Sequence, residues 1–252
     1  MTVFFVGAGP GDPELLTVKA HGLLVKAECC IYAGSLVGEE ILKLIPDTAE
    51  SFNSAGMHLD EIIDAMATAT GRGKDVVRLH SGDPSIYGAI GEQISRLKAL
   101  EIDFEIVPGV SAFQAAAAAL RVELTAPEVS QTVVLTRAPG RTPTPDTESL
   151  DHLAKSRATL CLFLSVHKIE EIVETLTPYY GADCPAAVVY HVSRWDQKIV
   201  FGALADIAPR TKAEEITRTA LVLVGPALSQ EKLFSKLYDK GFSHGYRAGV
   251  AE

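Results

Sequence analysis

Three short apolar segments in the first half of this chain each run straight into a glycine-bearing turn that opens a helical pattern. Val3–Gly7 enters Gly7-Ala8-Gly9-Pro10-Gly11-Asp12-Pro13. Val76–Leu79 enters Ser81-Gly82-Asp83-Pro84-Ser85-Ile86-Tyr87-Gly88-Ala89. Phe104–Val107 enters Pro108-Gly109-Val110-Ser111. Val3–Gly7 is a continuous apolar run, as fits a strand buried on both faces. Strands that alternate with helices close into a mostly parallel sheet covered by helices. In such sheets ligands bind along the carboxyl ends of the strands. The three turns fall on that edge and point to one small-molecule site.

The spacing fills in the remaining elements. Helical patterns cover Leu15–Ala27, Glu39–Leu44, Leu59–Thr70, Ile90–Leu100 and an alanine-rich stretch ending near Leu120, and Cys29–Tyr32 is a further strand. The order is β-α-β-α-α-β-α-β-α. After Thr125-Ala126-Pro127 the pattern changes. Strands are expected at Thr132–Thr136, Thr159–Leu164, Ala186–Tyr190, Lys198–Gly202 and Leu221–Val224, with helices at Leu150–Ala154 and Ile169–Thr177. Shorter connections and more strand predict a mixed sheet. The fold class is therefore α/β, with an N-terminal domain over 1–122 and a C-terminal domain over 123–252.

Composition narrows the function classes. The chain has 252 residues and a net charge of −9, which argues against nonspecific nucleic-acid binding. No apolar run reaches the roughly 18 residues that a membrane helix needs. No signal peptide is read ahead of the first strand, so a cytoplasmic protein is expected. Cys29, Cys30, Cys161 and Cys184 form no Cys-x-x-Cys pair and read as buried reduced thiols. His21, His58, His152 and His244 lack metal-ligand spacing, and no metal is expected.

Each turn has a bland reading beside the functional one. Gly7, Gly9 and Gly11 fall at i, i+2 and i+4, not at the i, i+2 and i+5 of a dinucleotide fingerprint. Pro10 also removes an N–H that a pyrophosphate would need. Gly82-Asp83-Pro84 is an ordinary turn composition. It also lets a ligand approach the backbone at Gly82, sets Pro84 at or near a first helical turn, and gives Asp83 the choice of capping the helix or holding a ligand hydroxyl. Ser111 is either a helix N-cap or part of a turn that offers N–H groups to a carboxylate.

Taken together, Gly7-Ala8-Gly9-Pro10-Gly11-Asp12, Gly82-Asp83-Pro84, Pro108-Gly109-Val110-Ser111 and Leu221-Val222-Leu223-Val224-Gly225 resemble the tetrapyrrole methylase family from Val3 to about Leu237. The segments Tyr32–Val37, His80–Gly88, Leu135–Pro143 and Val189–Lys198 resemble its branch that methylates precorrin-4 at C11. Arg194 before Trp195 departs from that branch's pattern and leaves the local turn open.

The resemblance implies a two-domain α/β fold with the ligand cleft between the domains, S-adenosyl-L-methionine as cofactor, S-adenosyl-L-homocysteine as its product, and a homodimer. It places cofactor contacts on Pro10, Ser81, Gly82, Asp83, Ile86, Ser111, Ala112, Leu164, Val192 and Ala220. A polycarboxylate macrocycle bound by an acidic protein calls for local cations. Arg137 and Arg141 are the candidates, with solvated surface charge as the alternative. Tyr87 and His80 complete the substrate candidates, and His80 reads equally as a packing residue. No residue is identified as a catalytic base. Methylation at another position of the macrocycle, a cobalt-containing substrate and a noncatalytic cofactor-binding module are the alternatives.

Overall fold

In the computed structural model, residues 1–140, 143–229 and 239–248 are described. The chain divides into two units, Met1–Ala119 with Tyr190–Lys198, and Leu120–Val189 with Ile199–Glu252.

The first unit contains β1 (Thr2–Gly7), α1 (Val18–Leu24), β2 (Cys29–Tyr32), α2 (Glu39–Leu42), β3 (Glu50–Asn53), α3 (Leu59–Gly71), β4 (Val76–His80), α4 (Ile90–Ala99), β5 (Asp103–Val107) and most of α5 (Ala112–Leu120). Its sheet has the order β3-β2-β4-β1-β5, and every pairing is parallel. Side chains alternate between its faces as a pleated strand requires. Val6, Cys30, Val77 and Leu79 pack with Ala20 and Leu24 of α1 and Ile41 of α2. Val3, Phe5, Cys29, Ile31 and Val76 pack with Ile62, Ile63 and Met66 of α3 and Leu97 of α4.

That division locates the crevice. β1 and β4 are neighbours, yet the helices that follow them, α1 and α4, cover opposite faces. The chain therefore leaves these two strands in opposite directions. This is the switch point at which open α/β sheets leave room for a ligand.

The second unit contains β6 (Val133–Thr136), α6 (Leu150–Ala154), β7 (Thr159–Leu162), α7 (Ile169–Tyr180), most of β8 (Pro185–Tyr190) and of β9 (Lys198–Ala203), α8 (Ile207–Ala213) and β10 (Ala220–Val224). The sheet order is β6-β7-β10-β8-β9. β6 and β7 run parallel, and β7 and β10 antiparallel, so the expected mixed sheet is observed.

Three local expectations need correction. β3, with the sequence ESFN, is a largely exposed strand that carries no apolar run, so the sequence pattern shows no element between the helices on either side. α8 is short and contains Pro209, which masks its helical spacing. Pro84 does not open a helix: α4 begins at Ile90, behind a nonhelical turn. All four cysteines are free and buried. Among the described residues no helix is long and apolar enough to cross a membrane.

Candidate functional site: a crossing of three glycine turns

Parallel pairing of β4, β1 and β5 brings the three turns to one edge of the first sheet. Their backbones touch there. A Cβ added to Gly7 would lie 2.6 Å from Gly109 Cα and 2.7 Å from the Gly82 carbonyl oxygen. One added to Gly109 would lie 2.3 Å from that oxygen. No side chain fits at either position. The first two turns are also tied by hydrogen bonds. Gly82 N–H donates to Gly9 O at 2.8 Å, Gly9 N–H to Gly82 O at 3.2 Å, and Ala8 N–H to His80 O at 2.7 Å. Gly9 and Gly82 have φ of +67° and +63°, which glycine adopts at no steric cost.

Asp83 ties the second turn to the third. Its Oδ2 accepts from Gly109 N–H at 2.9 Å, and its Oδ1 accepts from the Ser85 N–H at 2.8 Å and from Ser85 Oγ. Burial pushes the carboxyl up, and these donors outweigh it, so Asp83 titrates below the usual carboxylate range. Asp83 does not cap α4, whose N-cap is Ala89 without a side-chain bond.

Gly82 opens toward the start of α5. A Cβ there would stand at ordinary contact distance, 3.7 Å from Ser111 Cα and 3.9 Å from Ala112 N. Ser111 is buried and precedes α5, and its N–H donates to Gln114 Oε1 at 2.9 Å. The helix ladder leaves the next N–H groups of its first turn over. An α-amino acid carboxylate or an adenosine acceptor fits such a donor edge. These donors suit the carboxylate of S-adenosyl-L-methionine.

Residues 190–198 group with this unit and contribute Val192, which is buried. Sequence reasoning missed what holds this segment. Ser193 Oγ accepts from Asp12 N–H at 3.0 Å. Arg194 crosses Gly11, where an added Cβ would meet its Cγ at 2.5 Å, and its Nη2 donates to Leu36 O at 2.6 Å. His191 Nδ1 lies 2.7 Å from Asp196 Oδ2, with the Tyr190 ring stacked at 3.8 Å. The departure at Arg194 thus has a structural reason, and the signal for it was Gly11, the neighbour that only a glycine can be.

The other candidates have distinct settings. Pro10 is buried in the first turn, Ser81 and Ile86 are half-buried in the second, and Tyr87 is 45% exposed. His80 is buried against Phe5, its Nε2 has no hydrogen-bond partner, and burial, aided by Arg78, lowers its pKa to about 3. It is a neutral ring.

In the second unit, Arg137 and Leu164 follow parallel β6 and β7 at the same edge of that sheet. Ala220 begins β10, the antiparallel neighbour of β7. Leu164 is 63% exposed at φ 55°, an uncommon backbone for a branched side chain. Arg137 Nη2 donates to Pro143 O at 2.8 Å. Arg141 lies outside the described residues.

Comparison with known proteins agrees with this architecture. Residues 2–208 match the profile of the Tetrapyrrole (Corrin/Porphyrin) Methylases. The chain is 54% identical to a cobalt-precorrin-4 C(11)-methyltransferase of Methanocaldococcus jannaschii, over 97% of this chain and 95% of that protein. It is 51% identical to a precorrin-4 C(11)-methyltransferase of Pseudomonas aeruginosa, over 99% and 100%. The X-ray structure of a cobalt precorrin-4 methyltransferase superposes with a TM-score of 0.88 at 43% identity, over 90% of this chain and 96% of that one. A uroporphyrin-III C-methyltransferase from Thermus thermophilus, complexed with S-adenosylhomocysteine, gives 0.76 at 29%, over 90% and 99%. The chain belongs to the tetrapyrrole methylase family.

Proposed function

We propose that this chain is an S-adenosyl-L-methionine-dependent C-methyltransferase that methylates precorrin-4 at C11 to give precorrin-5, in cobalamin biosynthesis. The observation that carries the reading is identity above half, over nearly the whole length, with two relatives named for that reaction.

The cofactor supplies a methyl group already activated on a sulfonium. The new C–C bond forms as the C–S bond breaks, and S-adenosyl-L-homocysteine leaves. The chain's task is to bind and orient, and good orientation supplies about 7–11 kcal/mol in favourable cases. Pro10, Ser81, Gly82, Asp83, Ile86, Ser111, Ala112, Leu164, Val192 and Ala220 hold the cofactor. Backbone groups of the glycine turns and the start of α5 serve the polar ends. Arg137 and Arg141 meet substrate carboxylates, and Tyr87 faces the macrocycle. His80, being neutral and buried, serves as a fixed wall behind Ser81 and not as a cation. No side chain is assigned as a base. The protein is proposed to act as a cytoplasmic homodimer, without nucleic-acid or membrane partners.

The relative from Methanocaldococcus jannaschii favours cobalt-precorrin-4 as a second reading of the substrate. Transfer of a labelled methyl group to precorrin-4, cobalt-precorrin-4 and uroporphyrinogen III tests both. Label on either precorrin-4 form supports the reading and selects the form. Label on uroporphyrinogen III alone overturns it.

A further inference from the structure

A buried cation without a carboxylate lies beneath the site. Arg78, in the middle of β4, is 5% exposed, and among the described residues no Asp or Glu pairs with it. Burial lowers its pKa to about 10, so it stays charged at neutral pH. A buried charge is costly unless its donors are used. Arg78 spends them on three segments. Nε donates to Gln93 Oε1 of α4 at 3.1 Å, and Nη1 to Ser54 Oγ at 2.9 Å and to Ile31 O of β2 at 3.3 Å.

Gln93 is itself 5% exposed. With its amide oxygen held by Arg78, its NH2 group must point the other way. It donates to Ala89 O at 3.1 Å. Ala89 closes the Ser81–Ala89 turn in an unfavourable backbone. Tyr87 and Ala89 have φ of 55° and 49°, and the room for a Cβ on Gly88 between them is closed by Pro84 O at 2.1 Å. Left-handed residues other than glycine are strained, and they persist where the surroundings fix them. Different contacts hold the two halves of the turn, and the first half is also tied to Gly9 through Gly82. Asp83, on Gly109, holds the half that carries Ser81 and Gly82. Gln93 holds the half that carries Tyr87.

We propose that Arg78 and Gln93 form a positioning relay that fixes the Tyr87–Ala89 turn for the tetrapyrrole, independently of the cofactor half of the same turn. The role is positioning, because both side chains are buried and bond to protein groups. It rests on the reading of Tyr87 as substrate-facing.

Gln93→Glu separates the two ends of the relay. The carboxylate still accepts from Arg78, but it cannot donate to Ala89 O. The expected result is an unreduced melting temperature, a Kd for S-adenosyl-L-homocysteine within about twofold, and a tetrapyrrole KM raised roughly 3- to 10-fold, the worth of one hydrogen bond. Adding Ala89→Gly to Gln93→Glu should restore most of the KM, since glycine adopts the left-handed backbone freely. Ala89→Val changes an exposed side chain and leaves the buried pair untouched. It should reproduce the KM effect, because a β-branched residue resists φ near 49°.

The relay is overturned if tetrapyrrole KM is unchanged in Gln93→Glu and Ala89→Val while Tyr87→Ala raises it. It is also overturned if cofactor affinity falls in parallel with substrate affinity, or if Ala89→Gly gives no rescue. An unchanged KM in Tyr87→Ala instead removes the substrate reading of Tyr87.

Discussion

Asp83 Oδ2 and the Gly109 N–H are hydrogen-bonded at 2.9 Å, and that bond joins the turn after β4 to the turn after β5. The residues are 26 apart in sequence, and β1 separates their strands in the sheet. The bond fixes the floor on which Gly82 faces Ser111. Asp83→Ala removes the acceptor for Gly109 and for both Ser85 donors. A hydrogen bond to a charged group is worth about 1.5–3 kcal/mol, so S-adenosyl-L-homocysteine affinity should fall roughly 10- to 150-fold by calorimetry. An unchanged Kd would remove Asp83 from the cofactor site.

Two glycine-to-alanine changes should act in opposite directions. Gly109→Ala places a Cβ 2.3 Å from the Gly82 oxygen, where backbone must move. Overpacking of this kind costs about 1–3 kcal/mol. Gly22, inside α1, has nothing within 4 Å of an added Cβ. There alanine should stabilise by roughly 0.5–1 kcal/mol through helix propensity. Denaturant titration reads both, and equal signs would contradict the packed crossing.

The His80 ring predicts a pH effect on stability. Its folded pKa is lowered to about 3 from an ordinary 6.5. Between those values the unfolded chain binds a proton that the folded chain refuses, so stability falls as pH drops from 6.5 toward 3. The slope from this one group approaches about 1.4 kcal/mol per pH unit. His80→Phe keeps a ring beside Phe5 and should flatten the melting-temperature profile over that window. Parallel profiles for the two proteins would show that His80 is reached by protons in the fold.

Arg137→Ala combined with Arg141→Ala should raise tetrapyrrole KM by roughly tenfold or more, given the strength of charged hydrogen bonds. The Kd for S-adenosyl-L-homocysteine should stay within about twofold. An equal loss of both affinities would refute a substrate role for the pair.

β1, β2 and β10 were legible because their apolar runs are continuous: β1 and β2 pack on both faces, and β10 is almost wholly buried. β3 was not, because an edge strand of Glu-Ser-Phe-Asn needs no apolar pattern. The glycine turns stood out in sequence, but their crossing depends on β1 lying between β4 and β5, which only strand order supplies. The place of residues 190–198 was illegible for a similar reason. Ser193 reaches Asp12 across 181 residues, and no local pattern encodes that contact. Arg78 reads as a polar break in an apolar strand until Gln93 is seen beside it.

The central claim is that this chain places a methyl group on C11 of a precorrin-4 ring. Carbon NMR of the product formed with 13C-methyl-labelled S-adenosyl-L-methionine tests it most directly. With ring-13C-enriched substrate, the expected spectrum shows one labelled methyl carbon coupled to a ring carbon assigned to C11, with one equivalent of S-adenosyl-L-homocysteine released. A labelled methyl at any other ring position, or cofactor turnover without label in the macrocycle, would contradict it.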